Sequence, residues 1–272
     1  METNIQTQTQ IKSKPAFHRL ELLTGKNGLE RLKATPVIIF GVGGVGSWCA
    51  EALVRSGIHN LTIVDSDLVC ATNINRQLQA THNTVGEVKV DVLRDRLLTI
   101  NPDVSINALK SIYDYTTASE FKLEQFPYVI DAIDSLSSKV ELIVNASEAG
   151  AKVYSALGAS CRLDPTRIKV ASLWKTEGCR LGHFVRKRLR KRKFNGDITC
   201  VYSDEPVNVI TEEVESQCGT GACMCPKVAK DGSEVHEWCS LKKQINGSIV
   251  HITGIFGFTL AGLVVQSIIK DN

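Results

Sequence analysis

The chain has 272 residues, enough for one large domain or one and a half ordinary ones. Hydrophobic residues at 43% and charged ones at 22% lie close to globular averages, so a packed core is expected and a wholly disordered chain is excluded. The net charge of +3 is modest, but basic residues crowd between Arg180 and Lys193.

Residues 1–16 read as a disordered polar tail, because Met1 to Gln10 is rich in Gln and Thr and has no apolar run of the signal-peptide kind. Nine scattered cysteines, an odd number, fit free thiols in a reducing, cytoplasmic compartment; peripheral membrane association stays open.

Thr24–Ala34 reads as a short helix, and Pro36–Gly41 as a buried strand ending in glycine. Ser47–Ser56 has helical spacing, with Ala50, Leu53 and Val54 on one side, and Asn60–Val64 is a second strand closed by Asp65. Val85–Ile100 reads as a helix stopped by Asn101 and Pro102. Strands at Val104–Leu109, Tyr128–Ala132 and Lys152–Leu157 follow, with a helix at Ser135–Ala149. This alternation predicts a Rossmann-like, doubly wound α/β fold with a mainly parallel sheet and ligands at the carboxyl ends of its strands.

Beyond Gly158 the rhythm changes. Arg167–Trp174 reads as an antiparallel strand, Phe184–Lys193 as a basic helix, and residues 195–245 as loop-rich, with five cysteines from Cys200 to Cys239. Ser248–Ile269 is apolar and long enough to span a bilayer. A polar face of Ser248, His251, Thr259 and Gln266, with Gly254, Gly257 and Gly262, instead suits a closing helix packed inside protein. Residues 17–158 are the expected nucleotide-binding domain, and 159–272 a substrate-binding part on the same sheet.

Gly41, Gly43 and Gly46 form a Gly-x-Gly-x-x-Gly turn between strand and helix, with Gly44 and Ser47 beside them. Glycines let backbone approach phosphate, and the helix N-terminus supplies N–H donors. Asp65 stands where a ribose hydroxyl is accepted. Alone, these features equally describe a nicotinamide or flavin oxidoreductase.

Further residues favour a triphosphate. Asp67 doubles the acid of Asp65; Asn73, Asn75 and Arg76 make a polar, cationic cluster; Lys89 lies on the next helix; and Asp131 and Asp134 close the fourth strand. Arg76 and Lys89 can neutralise phosphate oxygens and Asp134 can hold Mg²⁺. The bland readings are a solvated helix charge for Lys89 and a helix-cap neighbour for Asp131.

Gly41-Val-Gly-Gly-Val-Gly-Ser47, the Asp65/Asp67 pair, Asn73-x-Asn75-Arg76-Gln77, Val85-Gly86-x-x-Lys89 and Asp131-Ala-Ile-Asp134 together resemble the ubiquitin-activating-enzyme-like adenylating superfamily over about residues 17–158. Within it the chain is most similar to the tRNA threonylcarbamoyladenosine dehydratase branch. That likeness rests on Arg19-Leu20-x-x-Leu-x-Gly25, Glu51-Ala-Leu-x-Arg55, Asp164-Pro-Thr166 and Thr253-Gly-Ile-Phe256-Gly-Phe258. The resemblance implies ATP-dependent cyclisation of the threonylcarbamoyl group at tRNA position 37 through an acyl adenylate, and a homodimer. It also implies that Arg19 reaches ATP phosphates, often across the dimer interface; the bland reading is a surface charge.

Arg186, Lys187, Arg188, Arg190, Lys191, Arg192 and Lys193 make the densest charge run, a candidate tRNA contact beside an adenylating site, although charge runs are usually solvated faces. Phe184 and Phe194 can pack inward or stack on bases. Cys218, Cys223, Cys225, His236 and Cys239 lack the paired Cys-x-x-Cys spacing of a zinc site, so zinc is not expected. Cys239 is a candidate thioester nucleophile, although the substrate's own urea group can attack its adenylated carboxylate unaided. A monovalent cation and a sulfur-transfer protein are further candidate cofactor and partner. The rival readings are adenylation of a sulfur-carrier or ubiquitin-like protein, and a non-catalytic nucleotide-binding module.

Overall fold

A computed structural model describes residues 16–207 and 246–270. The polar tail up to residue 15 and Cys218, Cys223, Cys225, His236 and Cys239 lie outside the described residues.

Seven strands form a single sheet in the order β3-β2-β1-β4-β5-β7-β6. These are β1 (Pro36–Phe40), β2 (Asn60–Val64), β3 (Ser105–Leu109), β4 (Tyr128–Asp131), β5 (Lys152–Ala156), β6 (Ile168–Ser172) and β7 (Thr199–Ser203). All neighbours run parallel except β6, which pairs antiparallel with β7 at the edge. The central strands β1 and β4 are apolar and buried because helices cover both faces. Between them the winding direction reverses, and such a switch point opens a crevice at the strands' carboxyl ends.

The period of two along β1 sorts its side chains into two cores. Val37 and Ile39 face one layer, made by α1 (His18–Ala34), α2 (Gly46–Arg55), α3 (Lys89–Ile100) and α6 (Val250–Lys270). Ile38 and Phe40 face the other, with α4 (Leu136–Glu148) and α5 (Arg180–Lys191). Phe40 sits edge-on to both Tyr113 and Phe121 there.

Helix α6 is long and apolar enough to cross a membrane, but half of its most apolar window is buried within the protein. Ile252, Phe256, Leu260, Val264 and Ile268, four apart, face the core. A β-carbon at Gly257 would lie 2.5 Å from the Val45 carbonyl oxygen, so only glycine lets α6 lie this close to α2. Arg31 Nη2 caps the far end of α6 by donating to the Ile269 carbonyl at 2.6 Å.

Four sequence expectations are corrected. Helix α3 begins at Lys89 rather than Val85, because Gly86 has φ +89° and the segment bonds instead to Val69, through Gly86 N–H (2.9 Å) and the Glu87 carbonyl (2.8 Å). Helix α1 begins at His18 rather than Thr24, continuing across a kink at Gly25 (φ 70°, ψ 166°). Helix α5 begins at Arg180, with the Cys179 sulfur accepting from Gly182 N–H, and ends before Lys193, whose φ is +55°. Within the loop-rich stretch, Thr199–Ser203 is a strand inserted parallel beside β5; its β-branched and aromatic residues fit a buried pleat.

Phe256 is fully buried between α2, α6 and the sheet. Phe256→Ala should lower unfolding free energy by about 3–5 kcal/mol in urea titrations; a loss below about 1 kcal/mol would show that α6 is not part of the cooperative core.

Candidate active site

The glycine turn is shaped by contacts that leave no room for side chains. Gly41 has φ +86°, and a β-carbon on it would lie 2.8 Å from the Ala132 carbonyl oxygen, across the switch point. At Gly46 a β-carbon would lie 1.8 Å from the Gly41 carbonyl oxygen. A β-carbon at Gly44 would lie 3.1 Å from Cγ2 of Thr253 on α6. Gly43 differs: its β-carbon position meets only the Gln77 amide, at 3.7 Å, leaving open the approach a phosphate would use.

Acidic and basic side chains surround this turn. Asp65, at the end of β2, accepts from Val42 N–H at 2.8 Å and Asp67 N–H at 2.9 Å, locking the turn to the neighbouring strand. Burial pushes its carboxyl above the ordinary carboxylate range, while Lys89 pulls the other way. Lys89 is buried and donates to Asp67 at 2.7 Å. Burial alone would lower its pKa, but Asp65, Asp67 and Asp134 outweigh that and raise it, so the ammonium stays charged. Asp134 is exposed just beyond β4.

Arg76 passes over the turn, its Cδ 3.5 Å from a Gly44 β-carbon position, and its guanidinium donates to the Thr72 carbonyl (2.8 Å) and Asn75 Oδ1 (3.0 Å). Its own carbonyl accepts from Trp48 Nε1 at 3.0 Å. The structure thus gathers Gly41, Gly43, Gly44, Gly46, Asp65, Asp67, Arg76, Lys89 and Asp134 at one end of β1, β2 and β4.

Other candidates also hold the scaffold. Ser47 is buried, donating to the Gly43 carbonyl at 2.7 Å and accepting from Leu78 N–H. Asn73 Oδ1 accepts from Cys70 N–H at 3.0 Å, closing the turn that carries Arg76. Asn75 donates to the Ser248 carbonyl at 2.7 Å, tying that turn to the start of α6. Arg19 is exposed and is not brought to its own chain's turn. Its neighbours Phe17 and Leu20 pack near His59 and Gly57, at the amino end of β2.

Helix α5 divides its basic residues. Arg186 points inward and donates to Thr176 Oγ1. Arg188 reaches Ser137, Arg192 pairs with Glu141 at 2.7 Å, and Arg190 lies over the Trp174 ring. Lys187, Lys191 and Lys193 are exposed without an ion-pair partner among the described residues. Phe194 packs inward against Gly196, whereas Phe184 is exposed.

Sequence reasoning missed two groups. Gln79, buried, donates to the Val42 carbonyl at 2.8 Å and steadies the glycine turn. Lys139, fully buried beneath the site, pairs with Asp131 at 2.6 Å. A single lysine or glutamine carries no spacing signal; a lysine on the buried face of an amphipathic helix was the available hint.

The ThiF family matches residues 17–272. A tRNA threonylcarbamoyladenosine dehydratase of Bacillus subtilis is 36% identical over 255 residues, 94% of this chain and 95% of its own. The crystal structure of Escherichia coli tRNA N6-threonylcarbamoyladenosine dehydratase in complex with ATP superposes with a TM-score of 0.76 at 28% identity, covering 94% of both chains. The molybdopterin-synthase adenylyltransferase of Escherichia coli is 33% identical over only 150 residues, 54% of this chain and 59% of its own. With a family match that runs from the first helix to the last residue, the chain belongs to the ThiF family.

Proposed function

We propose that this protein is an ATP-dependent tRNA threonylcarbamoyladenosine dehydratase, closing the linear threonylcarbamoyl group of tRNA into its cyclic form. The observation that carries this reading is the likeness to a dehydratase along 94% of the chain, C-terminal half included. Adenylation of a sulfur-carrier protein finds support over only 54% of it.

Residues 17–158 bind ATP, and the part from 159 onward carries tRNA. The phosphates lie over Gly41–Ser47 and the ribose against Asp65. Magnesium fits the donor present: the Asp134 carboxylate is exposed just beyond β4, at the crevice. Mg²⁺ characteristically takes one or two carboxylates and fills its shell with phosphate oxygens and water. Asp134 would supply the carboxylate, and the ion when bound would neutralise phosphate charge.

The substrate carboxylate attacks the α-phosphorus, forming the acyl adenylate and releasing pyrophosphate. Arg76 and Lys89 stabilise the charge that builds on the departing oxygens. The substrate's urea group then attacks the acyl carbon and AMP departs. One water is removed overall, its oxygen leaving in AMP. The ring closes within one molecule, so no enzyme thiol is required, and Cys239 remains a candidate for a covalent route.

The protein works as a homodimer in the cytoplasm. Arg19 lies at the sheet's opposite end from its own site, and Leu22 and Leu23 beside it are 74% and 85% exposed. A second copy covering that apolar surface would let Arg19 serve the partner's phosphates. A sulfur-transfer protein partner and a monovalent cation belong to the same reading.

Incubation with ATP, Mg²⁺ and tRNA bearing the linear modification should yield the cyclic nucleoside and AMP in mass analysis. Asp134→Ala should slow the reaction at least about 100-fold, on the scale of losing a group that stabilises transition-state charge. Pyrophosphate exchange driven by a carrier protein, with none from tRNA, would overturn the assignment. Gly43→Ala should cut ATP affinity about tenfold or more while leaving Tm unchanged, since its methyl meets ligand space rather than protein. Replacing Lys187, Lys191 and Lys193 by Ala should flatten the slope of log tRNA affinity against log salt by about 2–3, one phosphate contact each, without changing ATP affinity.

A further inference from the structure

Directly below the crevice lies an ion pair that the adenylation chemistry does not use. Lys139, on the first turn of α4, and Asp131, the last residue of β4, both have fully buried side chains. The Lys139 ammonium makes three bonds: to Asp131 Oδ2 at 2.6 Å, to the Ala156 carbonyl at 2.9 Å and to Ser155 Oγ at 3.3 Å. Ser155 donates in turn to Asp131 Oδ2 at 2.6 Å. The other carboxylate oxygen, Oδ1, accepts from the backbone N–H of Ile133 at 3.1 Å.

Burying two charges costs several kcal/mol per ion, and well-packed apolar residues often replace such a pair without loss of stability. Stability alone is therefore a weak reason for this arrangement, while its position suggests a use. Ile133 lies in the turn 132–134 that leads from β4 to Asp134. Ala132 in the same turn bonds to the Phe40 carbonyl at 2.9 Å and presents its own carbonyl to Gly41. The pair thus grips the turn from below on the side away from solvent.

We infer that Asp131 is a positioning residue: through Ile133 N–H it holds the turn 132–134 so that Asp134 faces the metal-bound triphosphate, with Lys139 and Ser155 seating its other oxygen. This rests on the proposed Mg²⁺ role of Asp134. The ammonium fixes one carboxylate oxygen in place, leaving the other aimed at Ile133 N–H.

Two double variants isolate that link. Asp131→Asn/Lys139→Met removes both charges but keeps an oxygen for Ile133 N–H; Asp131→Leu/Lys139→Met removes the acceptor as well. Neither leaves a lone buried charge. Calorimetry would measure how much Mg²⁺ strengthens ATP binding relative to EDTA, with thermal melts alongside. The asparagine form should retain most of the wild-type Mg²⁺ gain, and the leucine form should lose about tenfold of it, the scale of one hydrogen bond. Equal gains in the two variants would overturn the inference. Should the leucine form fail to fold, Lys139→Arg replaces it. The larger planar fork cannot sit where the fully buried ammonium does without pushing the Asp131 carboxylate off Ile133 N–H, so the gain should fall in the folded protein, and an unchanged gain would overturn the inference. Asp134→Ala is the separate control: if it keeps the wild-type gain, the metal reading itself fails.

Discussion

Between the ends of β1 and β4 two backbone turns share a space too narrow for a β-carbon. Gly41 lies against the Ala132 carbonyl, and Gly46 against the carbonyl of Gly41. Because those two glycines are compressed, α2 starts immediately beside the switch point, with its first N–H groups and positive dipole end at the crevice. Asp65 then locks the turn sideways to β2, and Gln79 steadies it through the Val42 carbonyl. Of the turn's glycines at 41, 43, 44 and 46, Gly43 is the one where a β-carbon would meet no close contact.

The charges around this frame explain why a triphosphate needs company. Three carboxylates, Asp65, Asp67 and Asp134, act on Lys89, and among the described residues of the site Lys89 and Arg76 are the cations that stand against them. A bare polyphosphate entering here would meet more negative than positive charge. A divalent cation would reverse that balance and give Asp134 an attractive partner. The Lys89–Asp67 pair at 2.7 Å holds the ammonium ready at the crevice, and the excess of negative charge keeps it protonated. The same arithmetic disfavours the oxidoreductase reading, in which one acid on the ribose suffices.

Much of this was legible in the sequence because its signals are local. The strands from Asn60 to Val64 and from Tyr128 onward are short apolar runs punctuated by Asp, and the glycine turn follows from spacing alone. What escaped notice depends on tertiary contact. The helix expected from Val85 loses its first turn to backbone bonds with Val69, which sequence separation conceals. Strand β7 is as long as its neighbours but begins and ends on polar Thr199 and Ser203, so it does not stand out until β5 and β6 flank it. Asn73, Asn75 and Ser47 are candidate ligand contacts that also bond within the protein. Their bonds to Cys70, Ser248 and Gly43 show how much of a motif serves to hold its neighbours. Lys139 was invisible for the opposite reason: a lysine is expected in solvent, and only its neighbours Asp131, Ser155 and Ala156 make burial tolerable.

Helix α5 adds a direction to the site. Its first residues lie at the carboxyl end of β5, where a β-carbon on Gly182 would meet Leu157 Cδ1 at 2.8 Å and Cys179 accepts from Gly158 N–H. Twelve residues at about 1.5 Å each carry the helix some 18 Å onward, and Lys187, Lys191 and Lys193, without an ion-pair partner among the described residues, lie toward its far end and just past it. Cations there also suit the negative end of the helix dipole, which accounts for part of the basic run without any ligand. Helix polarity does not, however, explain why the lysines stay in solvent while the arginines beside them are engaged with Thr176, Ser137 and Glu141. A substrate touching both the crevice and Lys187–Lys193 must carry a reactive carboxylate at one point and negative charge along its length. A flexible protein tail meets the first condition alone; a structured RNA with one acylated nucleoside meets both.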